Sequence, residues 1–219
     1  MRVLVIGAGG HGQVVADILM TASRQGADEY PCGYLDHDEN LWGSVLTKLP
    51  VLGSIDERDK FAHDALIIGI GDNITRRRLF ALLSRSSERF ATARHPSAVL
   101  SSNCVIRHGT VVCAGVIVNT GACVGSNVIL NTGSSIDHHA VIGDHAHIAP
   151  GARLAGDVTI GQGTLVGIGA VVLPGRRVGA WSVVAAGAVV TRDVPDGVMA
   201  IGSPARVLTL KTTALSVNH

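Results

Sequence analysis

From residue 98 to residue 193 one aliphatic side chain recurs every six positions. The third place of sixteen consecutive hexads, from Leu100 and Ile106 through to Val184 and Val190, is always Leu, Ile or Val. An α-helix repeats every ~3.6 residues and cannot hold a strict period of six. A short strand followed by a turn, stacked as a solenoid, can. Three hexads make one triangular coil, so residues one coil apart share a column and the third-position aliphatics stack inward. Polar residues at the fifth and sixth places are expected at solvated corners.

The N-terminal stretch is patterned differently. Arg2 to Ile6 is a short β-branched run that reads as a buried parallel strand. Val14, Val15, Ile18 and Leu19 make one face of a helix between Gln13 and Ala22. A second strand ends near Tyr34 and Leu35, Val51 to Gly53 reads as a strand or a turn, and Ala65 to Ile70 is another buried strand. Thr75 to Leu83 follows as a helix carrying Arg76, Arg77 and Arg78. Strands alternating with helices predict a parallel sheet. The boundary falls at Arg94-His95-Pro96-Ser97, because proline interrupts regular structure just before the hexads begin. The expected organisation is an α/β Rossmann-like domain over 1–94, an all-β parallel solenoid over 95–208, and a short helix or loose tail to His219.

Composition narrows the partners. Hydrophobic residues make up 47% of the chain but aromatics only 3%, so the core is aliphatic. Net charge is +1 with no basic run, which argues against nucleic acid. No 18-residue apolar run suggests a membrane span, and the N-terminus lacks signal-peptide flanks. Cys32, Cys104, Cys113 and Cys123 form no C-x-x-C pair and read as small buried hydrophobes in a reducing compartment. A cytoplasmic protein is expected.

Two stretches carry chemistry. Gly7, Gly9 and Gly12 match G-x-G-x-x-G between a strand and a helix, the arrangement that brings backbone N–H groups to a phosphate. Asp36 lies where a ribose-binding acid would stand. About 94 residues are too few for both halves of a dinucleotide fold, so a mononucleotide portion is the better fit; a tight turn with no ligand is the alternative. Within the hexads, histidines cluster as His138, His139, His145 and His147. Any one of them alone reads as a surface corner. His138 and His147 are half a coil apart, however, so they meet only around a corner or across a subunit interface.

Taken together, these residues resemble the bacterial nucleotide-sugar N-acetyltransferases and the related sialic acid O-acetyltransferases. The resemblance covers residues 1 to 208. Its motifs are Gly7-Ala8-Gly9-Gly10-His11-Gly12, Leu35-Asp36, Gly69 to Asn73, His95-Pro96, Ile136-Asp137-His138 with Val141 to Asp144, and Gly202 to Arg206. It implies a left-handed β-helix, a homotrimer, acetyl-CoA as co-substrate, no metal, and a nucleotide-sugar acceptor. It also implies roles: His138 as general base, worth about 10²–10⁴ in rate, with His139 beside it. His147 would lie near the acetyl group, and Ile168 and Ala186 would contact pantetheine through the backbone. Gly9, Gly10 and His11 would hold the diphosphate, and Asp36, His37 and Gly71 the base and ribose. The chain departs from the family pattern at His139, where Asp or Glu is usual, and at His37. Asp157, one coil beyond His139, is a candidate for the missing carboxylate. A zinc carbonic anhydrase is disfavoured, because no two of the clustered histidines have the required five-residue spacing. A scaffold with dead sites is favoured by nothing but His139.

Overall fold

The computed structural model describes residues 1–86 and 88–208. The N-terminal part is a five-stranded sheet. Its strands are β1 (Arg2–Ile6), β2 (Tyr30–Leu35), β3 (Val45–Leu46), β4 (Leu49–Gly53) and β5 (Ala65–Ile68), in the order β3-β4-β2-β1-β5. The pairs β1–β2, β1–β5 and β2–β4 are parallel, and only β3–β4 is antiparallel. Two helices accompany it, α1 (Gly10–Arg24) and α2 (Asn73–Leu83). Both begin two or three residues earlier than the apolar periodicity predicts, because their first turns are glycine or polar. Val51 to Gly53 is the end of strand β4, whereas β3 has no counterpart in the pattern reading, and β5 stops two residues short of the predicted Ile70.

Alternation along β1 explains how this sheet is covered. Val3 and Val5 join Val15, Ile18 and Leu19 of α1, while Leu4 and Ile6 join Leu83 of α2 on the other face. Both faces are buried, as a parallel sheet requires. The first of these clusters runs without a break into the interior of the β-helix through Ala93, Val111 and Val112. The two parts of the chain therefore share one core.

Every pairing within the hexads is parallel with a register of 18 residues, for example Ile117 with Val99 and Ser135, or His147 with Ile129 and Leu165. The strands form three sheets, one per face of a triangular prism. The solenoid reaches past the hexads at both ends. Ala93–Arg94 already pairs with Val111–Val112, so the predicted boundary lies within the first coil. Met199–Ile201 pairs with Val183–Val184 and then, antiparallel, with Arg206–Leu208. The predicted tail beyond Leu208 lies outside the described residues.

Two columns point inward, not one. Besides the third-place aliphatics, first-place residues such as Val116, Ala122, Val128, Ser134 and Ala140 are fully buried. They are small because they fill the tapering corner. The sixth place is left-handed: nine glycines from Gly109 to Gly187 adopt positive φ there, with Asn127, His139, His145, Asp157 and Trp181. The cysteines are less uniform than expected. Cys113 is buried, Cys32 and Cys104 are half-buried, and Cys123 is exposed because it takes an outward second place. Among the described residues no helix is long and apolar enough to cross a membrane.

Candidate active site

The carboxyl ends of β1, β2 and β5 open onto a cleft of about 510 Å³, where ligands commonly bind in parallel sheets. Gly9, Gly10, His11, Asp36, His37 and Gly71 all line it. The glycines divide their work. A Cβ on Gly12 would lie 2.0 Å from the Gly7 carbonyl oxygen, and one on Gly69 would lie 2.5 Å from Gly12 Cα, so these positions let α1 pack against the strand ends. Gly9 and Gly10 are exposed, with nothing within 4 Å of a built Cβ. No side chain caps α1 and its first turn has no acid, which leaves its amide end free for an anion. Asp36 shapes the loop: its carboxylate accepts from the Ala8 N–H at 2.7 Å and from the Asp38 N–H at 2.9 Å.

The three arginines of α2 point three ways, as 100° of helical turn per residue dictates. Arg78 lines the cleft with Thr75. Arg77 lies 5.2 Å from the ring centre of Trp181. Arg76 is 1% exposed and hydrogen-bonds to neutral acceptors. It donates to the carbonyls of Ile70 and Gly71 beneath the cleft, to Asn73 Oδ1, and to the carbonyls of Asn127, His145 and Ala146 in the β-helix. Burial pushes its pKa down, and Asp72 opposes that shift. Arg78 and Arg76 were not singled out as site residues from sequence. The run of three arginines at the start of a helix was the available signal, and only the packing separates their roles.

Beside Arg76 the cleft meets the β-helix. His11 and His147 face each other with ring centres 6.5 Å apart. Burial, aided by the Arg76 charge, holds His11 at about 4 and His147 at about 3, so both are neutral imidazoles. The Asn131 side-chain amide donates to His147 Nε2 at 3.1 Å, and the Gly71 backbone also interacts with this ring. His147 thus bridges the floor of the cleft and the solenoid. Among the described residues the buried Nε2 of His11 meets no hydrogen-bond partner.

His138 and His139 stand on a different corner, both exposed. The His138 N–H donates to Asp137 Oδ1 at 2.8 Å, and Asn119 donates to the same oxygen at 2.8 Å. The two imidazoles share a hydrogen bond between their Nδ1 atoms at 3.1 Å. When His138 carries that proton, its Nε2 holds a free lone pair. Asp157 lies one coil on, and its N–H donates to the His138 carbonyl at 3.0 Å. Ligating atoms of His138, His139 and Asp157 all lie within 4.8 Å of one another. The His138 ring rests on Gly156, whose built Cβ would come within 2.4 Å of Nε2.

Ile168 and Ala186 mark the third corner. Both are exposed, beside Gly133, Gly151, Gly169 and Gly187, where a built Cβ meets nothing within 4 Å. The Ile168 carbonyl is taken by the Gly187 N–H at 2.8 Å. One chain therefore gathers His11, Gly71 and His147 at the domain junction but keeps His138 with His139, and Ile168 with Ala186, on separate edges of the prism.

Residues 2–83 match the model of the PglD N-terminal domain, and residues 157–192 match the bacterial transferase hexapeptide model. The chain is 36% identical over 115 residues to a UDP-N-acetylbacillosamine N-acetyltransferase of Bacillus subtilis; the aligned stretch spans about half of each protein, 52% and 51%. It superposes on a GDP-perosamine N-acetyltransferase of Caulobacter crescentus, solved with CoA and GDP-perosamine. That match has a TM-score of 0.88 and 34% identity, and covers 95% of this chain and 97% of the other. The acetyltransferase domain of PglB from Neisseria gonorrhoeae, solved with acetyl coenzyme A, matches with a TM-score of 0.85 and 32% identity over 94% of this chain and 98% of that one. With a glycine-loop cleft joined to an unbroken hexad solenoid, the chain belongs to the family of left-handed hexapeptide-repeat sugar acetyltransferases that carry a PglD-type N-terminal domain.

Proposed function

We propose that this protein transfers the acetyl group of acetyl-CoA to the amine of a nucleotide-linked amino sugar, acting as a homotrimer. One observation carries the reading: nearly the whole chain superposes on an enzyme holding CoA and GDP-perosamine, and the chain retains an open glycine-loop cleft. The diphosphate would rest on Gly9, Gly10 and His11 at the amide end of α1, with Arg78 at hand, and the base and ribose against Asp36, His37 and Gly71. Ile168 and Ala186 would flank the pantetheine arm along the glycine corner, where among the described residues nothing lies within 4 Å of a Cβ built on Gly133, Gly151, Gly169 or Gly187.

His138 would take the proton from the sugar amine at Nε2 as nitrogen attacks the thioester carbonyl, and the tetrahedral intermediate would then break its C–S bond, the proton passing to the departing CoA thiolate. His139 holds the opposite ring nitrogen, which fixes the tautomer, and the Asp157 carboxylate beside the pair favours the imidazolium that forms. His147 is a positioning residue in this reading. Its Nε2 accepts from Asn131, so its part is to hold the wall between cleft and solenoid. No activated Ser or Cys nucleophile is needed, and direct transfer suffices.

The trimer reading rests on surface chemistry. Val99 and Ile117 on one face, and Val105 and Val141 on the next, are exposed second-place residues flanking the corner that bears His138. Such outward apolar faces suit contact between copies. Packing there would bring the His138 corner of one subunit toward the cleft of its neighbour. Acetyl-CoA and nucleotide sugars are cytoplasmic metabolites, which supports a cytoplasmic location.

The test is a screen for CoA release with UDP-, GDP- and dTDP-linked 4-amino sugars and free sialic acid. Turnover with at least one nucleotide amino sugar is expected, with KM raised by Arg78→Ala and kcat lost in His138→Ala. Turnover with sialic acid alone would overturn the reading in favour of an O-acetyltransferase.

A further inference from the structure

We propose that His138, His139 and Asp157 form a chelating site for a divalent transition-metal ion of the zinc class, and that an ion held there arrests acetyl transfer. The geometry comes from the repeat. His139 sits in a left-handed turn with φ 58°, which brings two consecutive imidazoles together with Nδ1 atoms 3.1 Å apart. Asp157 occupies the equivalent turn one coil later with φ 59°, so its carboxylate stacks beside them. All three ligating atoms lie within 4.8 Å. Tetrahedral zinc with bonds of about 2.0–2.1 Å places its ligands about 3.3 Å apart. The two imidazole nitrogens already have that spacing, and an exposed Asp side chain closes the remaining gap by rotation. Two imidazoles and a carboxylate select zinc, nickel, cobalt or copper over magnesium and calcium, which prefer all-oxygen shells. Exposure of all three residues leaves entry open and room for water to complete the shell. No other group of three His, Cys, Asp or Glu among the described residues has such convergence.

The arrest follows from the tautomer. A metal bound through His138 Nδ1 takes the lone pair there, and the ring proton moves to Nε2. That is the atom whose lone pair the proposed reaction uses. No net proton is released by the imidazoles and nothing is oxidised. The reaction itself requires no metal in this account. The metal site stands apart from the proposed function; only the arrest rests on His138 being the base.

Titrating the untagged full chain with zinc chloride in a calorimeter tests the site. About one ion per chain is expected, with about tenfold or greater loss of affinity in His139→Ala and in Asp157→Asn, both keeping the circular dichroism of the parent. Magnesium chloride should give no heat beyond dilution. Equal zinc affinity in parent and variants, or no binding to the parent, overturns the site. Transfer rates measured across the same titration test the arrest: inhibition should follow occupancy in the parent and weaken in Asp157→Asn. Binding that leaves the rate untouched overturns the arrest and counts against His138 as base, while the metal site stands.

Discussion

Five side chains occupy left-handed turn positions that glycine fills elsewhere in the solenoid: Asn127, His139, His145, Asp157 and Trp181. Each such L-residue costs about 1–2 kcal/mol relative to a right-handed conformation, so each needs a compensating contact. Asn127, His145 and Trp181 lie under α2, where Asn127 donates to His145 Nδ1 at 2.8 Å and Trp181 meets Arg77. His139 and Asp157 flank His138 instead. Gly156 keeps the His138 ring in place by having no side chain. Gly156→Ala is expected to push the ring off its seat, lowering kcat about tenfold or more, within the range a general base is worth. Because the ring is exposed and can move, the melting temperature should stay within a few degrees. A variant with unchanged kcat would show that the seat does not matter. The buried pair makes a separate prediction. His11 and His147 are held at about 4 and about 3 in the fold against an ordinary value of 6.5. Below pH 6.5 the unfolded chain binds protons that the folded one refuses, so stability is complete above 6.5 and declines as pH falls toward 4 and then 3. At pH 5 each residue withdraws about 2 kcal/mol, since one unit corresponds to about 1.4 kcal/mol. Urea midpoints should fall between pH 7 and 5 in the parent, and fall less steeply in His11→Asn.

At the scale of elements, α2 joins the two halves of the molecule. Its face Asn73, Arg76, Arg77 and Phe80 follows helical spacing and runs along one corner of the β-helix. Asn73 donates to the Gly163 carbonyl at 2.9 Å, and Phe80 stacks on His108 at 5.6 Å and meets His145 edge-on at 5.5 Å. Arg76 is the centre of that contact. Removing it strands several buried carbonyls, and a buried acceptor left unsatisfied costs about 1–3 kcal/mol. Arg76→Leu should lower the unfolding midpoint accordingly and raise hydrogen exchange along α2. Arg76→Lys should recover little, because a single ammonium cannot reach acceptors on both sides as a planar fork does. Full recovery by lysine would mean that charge, not the fork, holds the junction. The periodicity revealed α2 as a helix. It did not reveal that Arg76 alone of the three arginines was buried, because a sequence pattern treats three consecutive arginines alike as solvated.

For the whole molecule, the separation of the glycine-loop cleft from the His138 corner predicts that the proposed site is shared between subunits. Chains carrying His138→Ala and chains carrying Arg78→Ala are each expected to be weak. Refolded together at equal ratio into trimers, they should regain about a quarter of parent activity, the chance that an interface pairs an intact base with an intact cleft under random closed assembly. No recovery in verified mixed trimers would place base and cleft on one chain. Ile117→Asp should shift light scattering toward the monomer and reduce activity with it, since a charge on an apolar contact face is costly to bury.

The sequence alone determined the β-helix, because an unbroken period of six admits one way to bury the third residue of each hexad. It also determined the glycine turn and the corner on which His138 and His139 stand, since both follow from spacing along the chain. It placed Asp157 beside them, because stacking in a solenoid is a count of residues. It could not determine what meets across the two domains. Arg76 beneath Gly71, His11 facing His147, and Asn131 holding His147 all depend on how α2 docks against a corner, a contact between segments that differ in period. Nor could it show that the first place of most hexads is as buried as the third, because small residues carry little signal of their own. Tertiary packing decided those matters, and with them which histidines are locked and neutral and which stand exposed with a lone pair to offer.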